Sequence, residues 1–240
     1  MEEITKHFLK ISRTMGNPAN SFPKKLKEIA LEIFIIVFAV TLAQFLERQR
    51  EENARQKEVK EFLLGLKNDM ISDVDQAKSD IQGFNHFKKV YSYLSNVKIN
   101  KKPNADSPIN NVKEINNNTS LIPSTSRFEG FKSSGKLEEI EDKPLLQNIL
   151  NFYEQAIPLL HASETGWLNF QHNLSDFFIE NKIEYDDGNN NYYALITTPK
   201  AKNLCKMLIP WPEIYERHDK LITLGNTIIK EINEDYNPNE

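Results

Sequence analysis

Apolar residues along this chain fall into one nearly unbroken block followed by long periodic runs. The block is Ile29–Leu46, IALEIFIIVFAVTLAQFL, in which fifteen of eighteen residues are apolar and Glu32, Thr41 and Gln44 are the exceptions. Eighteen helical residues rise about 27 Å, close to the hydrocarbon thickness of a bilayer. Its charge-free part, Ile33–Leu46, is fourteen residues long, a length also met in buried helices of soluble proteins. The flanks tip the balance. Lys24, Lys25, Lys27 and Glu28 precede the block, and Glu47, Arg48, Arg50, Glu51 and Glu52 come after it. Residues 29–46 therefore read as a transmembrane helix. No small-x-small cleavage site follows, which argues against a removed signal peptide.

On either side the pattern becomes periodic. Residues 1–28 form a basic amphipathic juxtamembrane segment, with Ile4, Phe8, Ile11 and Met15 on one stripe and Lys6, Lys10 and Arg13 between them. After the span, Val59, Leu63, Leu66, Met70, Val74, Ala77, Ile81, Phe84, Phe87, Tyr91 and Leu94 recur at spacings of three and four. This predicts one long amphipathic helix over 47–95, with Gly65 and Gly83 as points where it can kink. Two uses of its stripe stay open. It packs on later helices of the same chain, or Val59, Leu63, Leu66, Met70, Val74, Ile81 and Phe84 form a self-association seam.

Residues 96–127 are rich in Asn, Ser, Pro and Lys and read as a flexible linker or surface loop. Residues 128–240 read as helices that pack with 47–95. A helix begins at Lys143, with Pro144 at a tolerated early position. Its stripe is Leu145, Ile149, Phe152, Ala156, Leu159, Ser163, Trp167, Phe170, Leu174 and Phe177, and Pro158 predicts a kink or break within it. Residues 183–199 are rich in turn formers. A last helix starts after Pro212 and runs along Ile214, His218, Leu221, Ile222, Leu224, Ile228, Ile229 and Ile232. The fold class is all-α: a single N-terminal transmembrane helix continues into a long amphipathic helix within an antiparallel bundle.

Composition and charge remove several function classes. A net charge of −4 argues against a nucleic-acid partner bound through phosphates. The lone Cys205 excludes an internal disulfide or a multi-cysteine zinc site. Residues 1–28 carry +3 while the 194 residues after the span carry −6, with Glu32 counted in neither part. Lysine and arginine are about equally dense on both sides, so the positive-inside rule gives little contrast. The acidic surplus leans towards a main domain outside the cytoplasm, away from an anionic leaflet.

Candidate chemistry is sparse. Gly130–Leu137, GFKSSGKL, satisfies G-x-x-x-x-G-K but ends in Leu137 where a P-loop needs a hydroxyl for magnesium. Glu138, Glu139, Glu141 and Asp142 come next and would repel phosphate, so no nucleotide is expected. Gly135 instead reads as the residue just past a short helix. His161 and His172 share a helix face about 16 Å apart, too far to hold one metal. No catalytic set converges, and neither a cofactor nor a metal is expected. Glu32, an ionisable residue in the first turn of the span, is the one intramembrane candidate for a functional role.

Three blocks resemble a family of uncharacterised single-span membrane proteins from Bacteroidetes-type bacteria. They are Phe8-Leu9-Lys10-Ile11-Ser12-Arg13; Ala30-Leu31-Glu32-Ile33 with Leu42-Ala43-Gln44 and Phe62 to Asp69; and Phe128 to Leu137 with Ile140, Asp142-Lys143, Leu145 and Phe152-Tyr153. The third is similar to an aromatic-Glu-x-Leu-Lys-Ser-Ser-Gly signature, carried here by Phe128, Lys132, Ser133, Ser134 and Gly135, with Phe131 in the Leu position. Leu31 stands where the family usually has Gly. The resemblance implies a membrane anchor with a helical domain, treats the Lys-Ser-Ser-Gly segment as a structural corner, and supplies no activity. The expected function is a non-enzymatic, membrane-anchored interaction or scaffold protein of the bacterial inner membrane. Its partners would be the bilayer and a second copy or another membrane protein. The alternatives are a ligand-sensing bundle acting through a partner, or an accessory subunit of a channel or transporter that uses Glu32.

Overall fold

The computed structural model describes residues 22–98, 115–186 and 190–236. The stripe Ile4–Met15 of the basic N-terminal segment lies outside the described residues. The chain divides into two units, Met1–Glu58 and Val59–Glu240, and helix α1 (Phe22–Ser95) supplies residues to both.

In the first unit, α1 is long and apolar enough to span a membrane. Its most apolar eighteen-residue window has a mean hydropathy of 2.4, and none of it is buried. Leu31, Phe34, Val37, Phe38, Phe45 and Leu46 are each more than half exposed. The one hydroxyl in the stretch is satisfied locally, since Thr41 Oγ1 donates to the Val37 carbonyl at 2.8 Å.

The second unit is all-α. After α1 come α2 (Ser126–Ser133), a 3₁₀ turn (Lys136–Glu139), α3 (Lys143–Asn151), a single π-helical turn (Phe152–Ala156) and α4 (Ile157–Asn181). Beyond these lie α5 (Tyr192–Ile196), α6 (Pro199–Met207) and α7 (Pro212–Tyr236). Among the described residues no strand forms; Glu184 and Asn190 make an isolated antiparallel bridge. The helix starts obey simple chemistry. Asp142 accepts from the Leu145 amide at 3.0 Å and Thr198 from the Ala201 amide at 3.3 Å, each just before a proline in the first turn.

Two apolar clusters divide the core. The first joins Val59, Leu63, Leu66, Met70 and Ala77 of α1 to Leu145, Ile149, Phe152 and Leu160, and to Leu221, Ile228 and Ile232 of α7. The second joins Phe84, Phe87, Tyr91 and Leu94 of α1 to Trp167, Leu174 and Phe178 of α4 and to Ile214 of α7. Read along each helix, α1 and α3–α4 run from the first cluster to the second, and α7 runs the opposite way. Parallel neighbours need a return connection. Here its described part is an irregular segment, residues 115–125, hydrogen-bonded along α1.

Pro158 acts through the turn before it. A proline has no N–H for the Glu154 carbonyl, and the chain takes a wider π turn over Phe152–Ala156. The extra residue rotates the buried face of α4. Leu160, Ser163, Glu164, Trp167, Gln171 and Leu174 point inward, while Leu159, expected inside, is 46% exposed and Phe170 only partly buried. Gly65 and Gly83 do not interrupt α1. Gly83 allows a close approach instead: a Cβ there would lie 3.0 Å from Thr119 Cγ2.

Gly135 closes α2. Its φ of 75° is left-handed, and its amide donates to the Lys132 carbonyl at 3.0 Å. Replacing Gly135 with Ala should lower stability by about 1 kcal/mol, a fall in Tm of about 2–4 °C. Differential scanning calorimetry of the two proteins measures it.

Candidate functional site

The stripe of α1, open to packing within the chain or to self-association, is packed within the chain. Val59, Leu63, Leu66, Met70, Val74 and Phe84 are all buried and Ile81 is partly buried. Val59, Leu63, Leu66 and Met70 share one apolar cluster with α3, α4 and α7, and Phe84 belongs to the other. Of the expected linker or surface loop, residues 99–114 lie outside the described residues. Within 115–125, Ile115 and Leu121 are buried while residues 116–118 and Ile122 are exposed.

An irregular segment lying on helices has no ladder to satisfy its backbone, so side chains must do it. Those side chains succeed one another along α1 and α4. Tyr91 Oη and Gln171 Nε2 donate to the Ile115 carbonyl at 3.2 and 3.1 Å, and Gln171 also reaches the Asn117 carbonyl at 2.6 Å. Thr119 Oγ1 donates to Asp80 Oδ1. Gln76 Nε2 donates to the Ser120 carbonyl at 3.0 Å. The Leu121 amide and Ser120 Oγ donate to the Glu164 carboxylate, at 3.2 and 2.9 Å. The Ser124 amide lies between both oxygens of Asp73 at 3.0 and 3.1 Å, and Tyr153 Oη donates to the Ser124 carbonyl at 3.4 Å. Residues 115 and 116 form a 3₁₀ turn and 117–125 have no regular secondary structure, while their partners from Tyr91 to Asp73 on α1 cover about 27 Å.

The deepest of these side chains form a polar layer between the two apolar clusters. Asp80 sits between Ala77 and Phe84, Glu164 between Leu160 and Trp167, and His218 between Ile214 and Leu221. They are 3%, 0% and 0% exposed. One ligand atom from each lies within 4.8 Å of the other two. His218 Nδ1 is 2.8 Å from the Ile214 carbonyl, which can only accept, so Nδ1 carries a proton. Nε2 then faces Glu164 Oε1 at 3.3 Å. Phe84 holds the ring edgewise at 5.5 Å between centroids. Burial works against a charged His218, but Glu164, the Ile214 carbonyl and Asp80 outweigh it and raise the pKa above the ordinary histidine value. Burial raises the pKa of Asp80, with Glu164 adding to the effect and Thr119 and His218 opposing it. Asp80 Oδ2 and His218 Nε2 have no hydrogen-bond partner.

The other candidates are simpler. Glu32 is partly buried at the start of the apolar stretch. Phe128 is buried and stacks on Tyr153 at 4.3 Å. Lys132 pairs with Glu154 at 2.7 Å and lies over the Phe128 ring. Ser133 and Ser134 donate back to the Gly130 and Phe131 carbonyls at 3.1 and 2.8 Å. With Gly135 these residues make a helix end and a turn. His161 and His172, whose spacing is too wide for one metal, are exposed. A groove of about 450 Å³ lies on the outer side of α7, lined by Asn151, Gln155, Asp219, Lys220, Thr223 and Thr227. No known protein family, curated protein or solved structure matches the chain.

The layer and its surroundings make two measurements informative. Asp73→Ala strands the Ser124 amide beneath the segment and should remove about 2 kcal/mol, seen as a lower urea midpoint; Asp73→Asn, which keeps one acceptor, should lose less. Cys205 is fully buried and its pKa is pushed up to about 12 by that burial. Iodoacetamide at pH 8 should leave it unmodified in the folded protein and alkylate it once urea unfolds the chain.

Proposed function

We propose that this chain is a membrane-anchored helical interaction or scaffold protein without catalytic activity. The observation that carries this reading is the apolar stretch of α1. A run of exposed leucine, isoleucine, valine and phenylalanine with no cover among the described residues is stable only in lipid or against another apolar surface. The folded second unit would be the interacting part, reaching a second copy or another membrane protein. The buried stripe on α1 makes the apolar stretch the better route for self-association. The charge difference between residues 1–28 and the chain beyond the span favours a single pass through a bacterial cytoplasmic membrane, with the second unit outside. The resemblance to single-span proteins of Bacteroidetes-type bacteria points the same way.

One observation supports the ligand-sensing alternative. The layer of Asp80, Glu164 and His218 joins three helices and the 115–125 segment, so whatever binds or protonates it would act on all four. An accessory role in a channel would rest on Glu32 alone.

Membrane fractionation tests the anchor. The full chain should stay in the membrane pellet after an alkaline carbonate wash and come out with detergent. Val37→Arg combined with Val40→Arg, at exposed positions, adds about 5–7 kcal/mol to insertion and should release folded protein to the supernatant. Wild-type protein found wholly in the supernatant without detergent would overturn the reading.

A further inference from the structure

Asp80 Oδ2 and His218 Nε2, both without a hydrogen-bond partner, lie in one buried group with the Glu164 carboxylate. The ring proton of His218 sits on Nδ1, held by the Ile214 carbonyl at 2.8 Å. In the neutral ring, Nε2 therefore presents a lone pair to Glu164 Oε1, itself a lone-pair donor, 3.3 Å away. Asp80 Oδ2 is buried nearby with no donor of its own. Electron-rich atoms this close repel unless a cation lies among them, and while a proton on Nε2 would satisfy Glu164, only a metal ion would also take up Asp80 Oδ2.

The donor set narrows which cation that is. Two donors about 2.1 Å from a tetrahedral ion stand about 3.4 Å apart, close to the 3.3 Å between Nε2 and Oε1. Two carboxylates and a neutral imidazole carry −2, which a divalent ion balances. An imidazole nitrogen selects a transition ion over magnesium, and three side chains fall short of the six to eight oxygens that calcium takes. The surroundings already resemble a second coordination sphere. The other nitrogen of the histidine is tied to a backbone carbonyl, Asp80 Oδ1 accepts from Thr119, and Glu164 accepts from Ser120 and Leu121.

We propose that Asp80, Glu164 and His218 bind one divalent transition ion of the zinc class, joining α1, α4 and α7 beneath the 115–125 segment. The inference stands apart from the membrane reading, since all three residues belong to the second unit. Because Thr119, Ser120 and Leu121 hold the same carboxylates, metal access requires that segment to lift, and bound metal holds it down. Loading is therefore slow, and the bound ion is structural.

The test uses the full chain in detergent micelles, stripped with EDTA and titrated with Zn²⁺ and, separately, Co²⁺. One ion per chain is expected by calorimetry and elemental analysis. Tm should rise roughly 5–10 °C at a hundredfold excess over Kd. Co²⁺ should give the visible absorption of a low-symmetry nitrogen and oxygen site. Asp80→Asn and His218→Gln should each weaken binding by at least about a hundredfold, whereas His161→Gln with His172→Gln should leave it unchanged. Should the core variants fail to fold, the Co²⁺ spectrum and stoichiometry of the wild type decide the matter. Stripped wild-type protein that is helical by circular dichroism yet takes up no ion would overturn the proposal. So would binding lost with His161 and His172 and kept without His218.

Discussion

The Leu121 amide, buried with no strand beside it, donates to Glu164, a carboxylate with no exposed surface. That pair states the constraint on which the second unit depends. The chain leaves α1 at one end and must begin α3 near the other, because α1 and α4 run the same way. The connection has to cross the face of the bundle, and a buried crossing leaves amides and carbonyls that no helix satisfies. Aspartate, glutamate, glutamine and tyrosine side chains on the helices supply the partners. Stranding one such group in the interior costs about 1–3 kcal/mol, so the set acts as a whole.

Several other features depend on that crossing. The carboxylates that hold it must enter the core, and they divide the apolar residues into two clusters. The cluster towards the end of α1 is strongly aromatic: Phe84, Phe87 and Tyr91 pack around the Trp167 ring, Phe84 also meets the His218 ring edgewise, and the Trp167 indole donates to the Leu208 carbonyl at 2.9 Å. Gly83 leaves room for Thr119 where segment and helix come closest. Arg127, at the far end of the segment, pairs with Asp69 at 2.8 Å, one turn before Asp73 on the same face of α1.

Much of this fold is legible in the sequence because it rests on periodicity and local chemistry. The apolar stretch, the starts of α3 and α7, the proline-marked irregularity and the role of Gly135 all come from neighbours within a few residues. The inward face of α7 matches its apolar stripe, His218 included. What periodicity does not carry is the crossing segment. Asn117, Thr119, Ser120 and Ser124 look like a solvated linker because their hydrogen-bond partners lie far along the chain. Glu164 and Gln171 are hidden for a second reason. The π turn before Pro158 rotates α4, so residues that an ideal helix sets beside the stripe become part of it. Among five histidines, the informative one reads in the sequence as a core position, and its two carboxylate neighbours lie on other helices.

An apolar anchor and a bundle tied by a buried polar layer suit a protein that presents a surface near a membrane. The central claim is that the 115–125 segment is docked on the bundle through Ile115 and Leu121 and held there by buried carboxylates. Site-resolved hydrogen exchange at the Leu121 and Ser124 amides, in the full chain in micelles, tests this most directly. Protection approaching that of core amides in α4 and α7 is the expected result. Exchange at the rate of a free loop at both amides, while those helices stay protected, would contradict it.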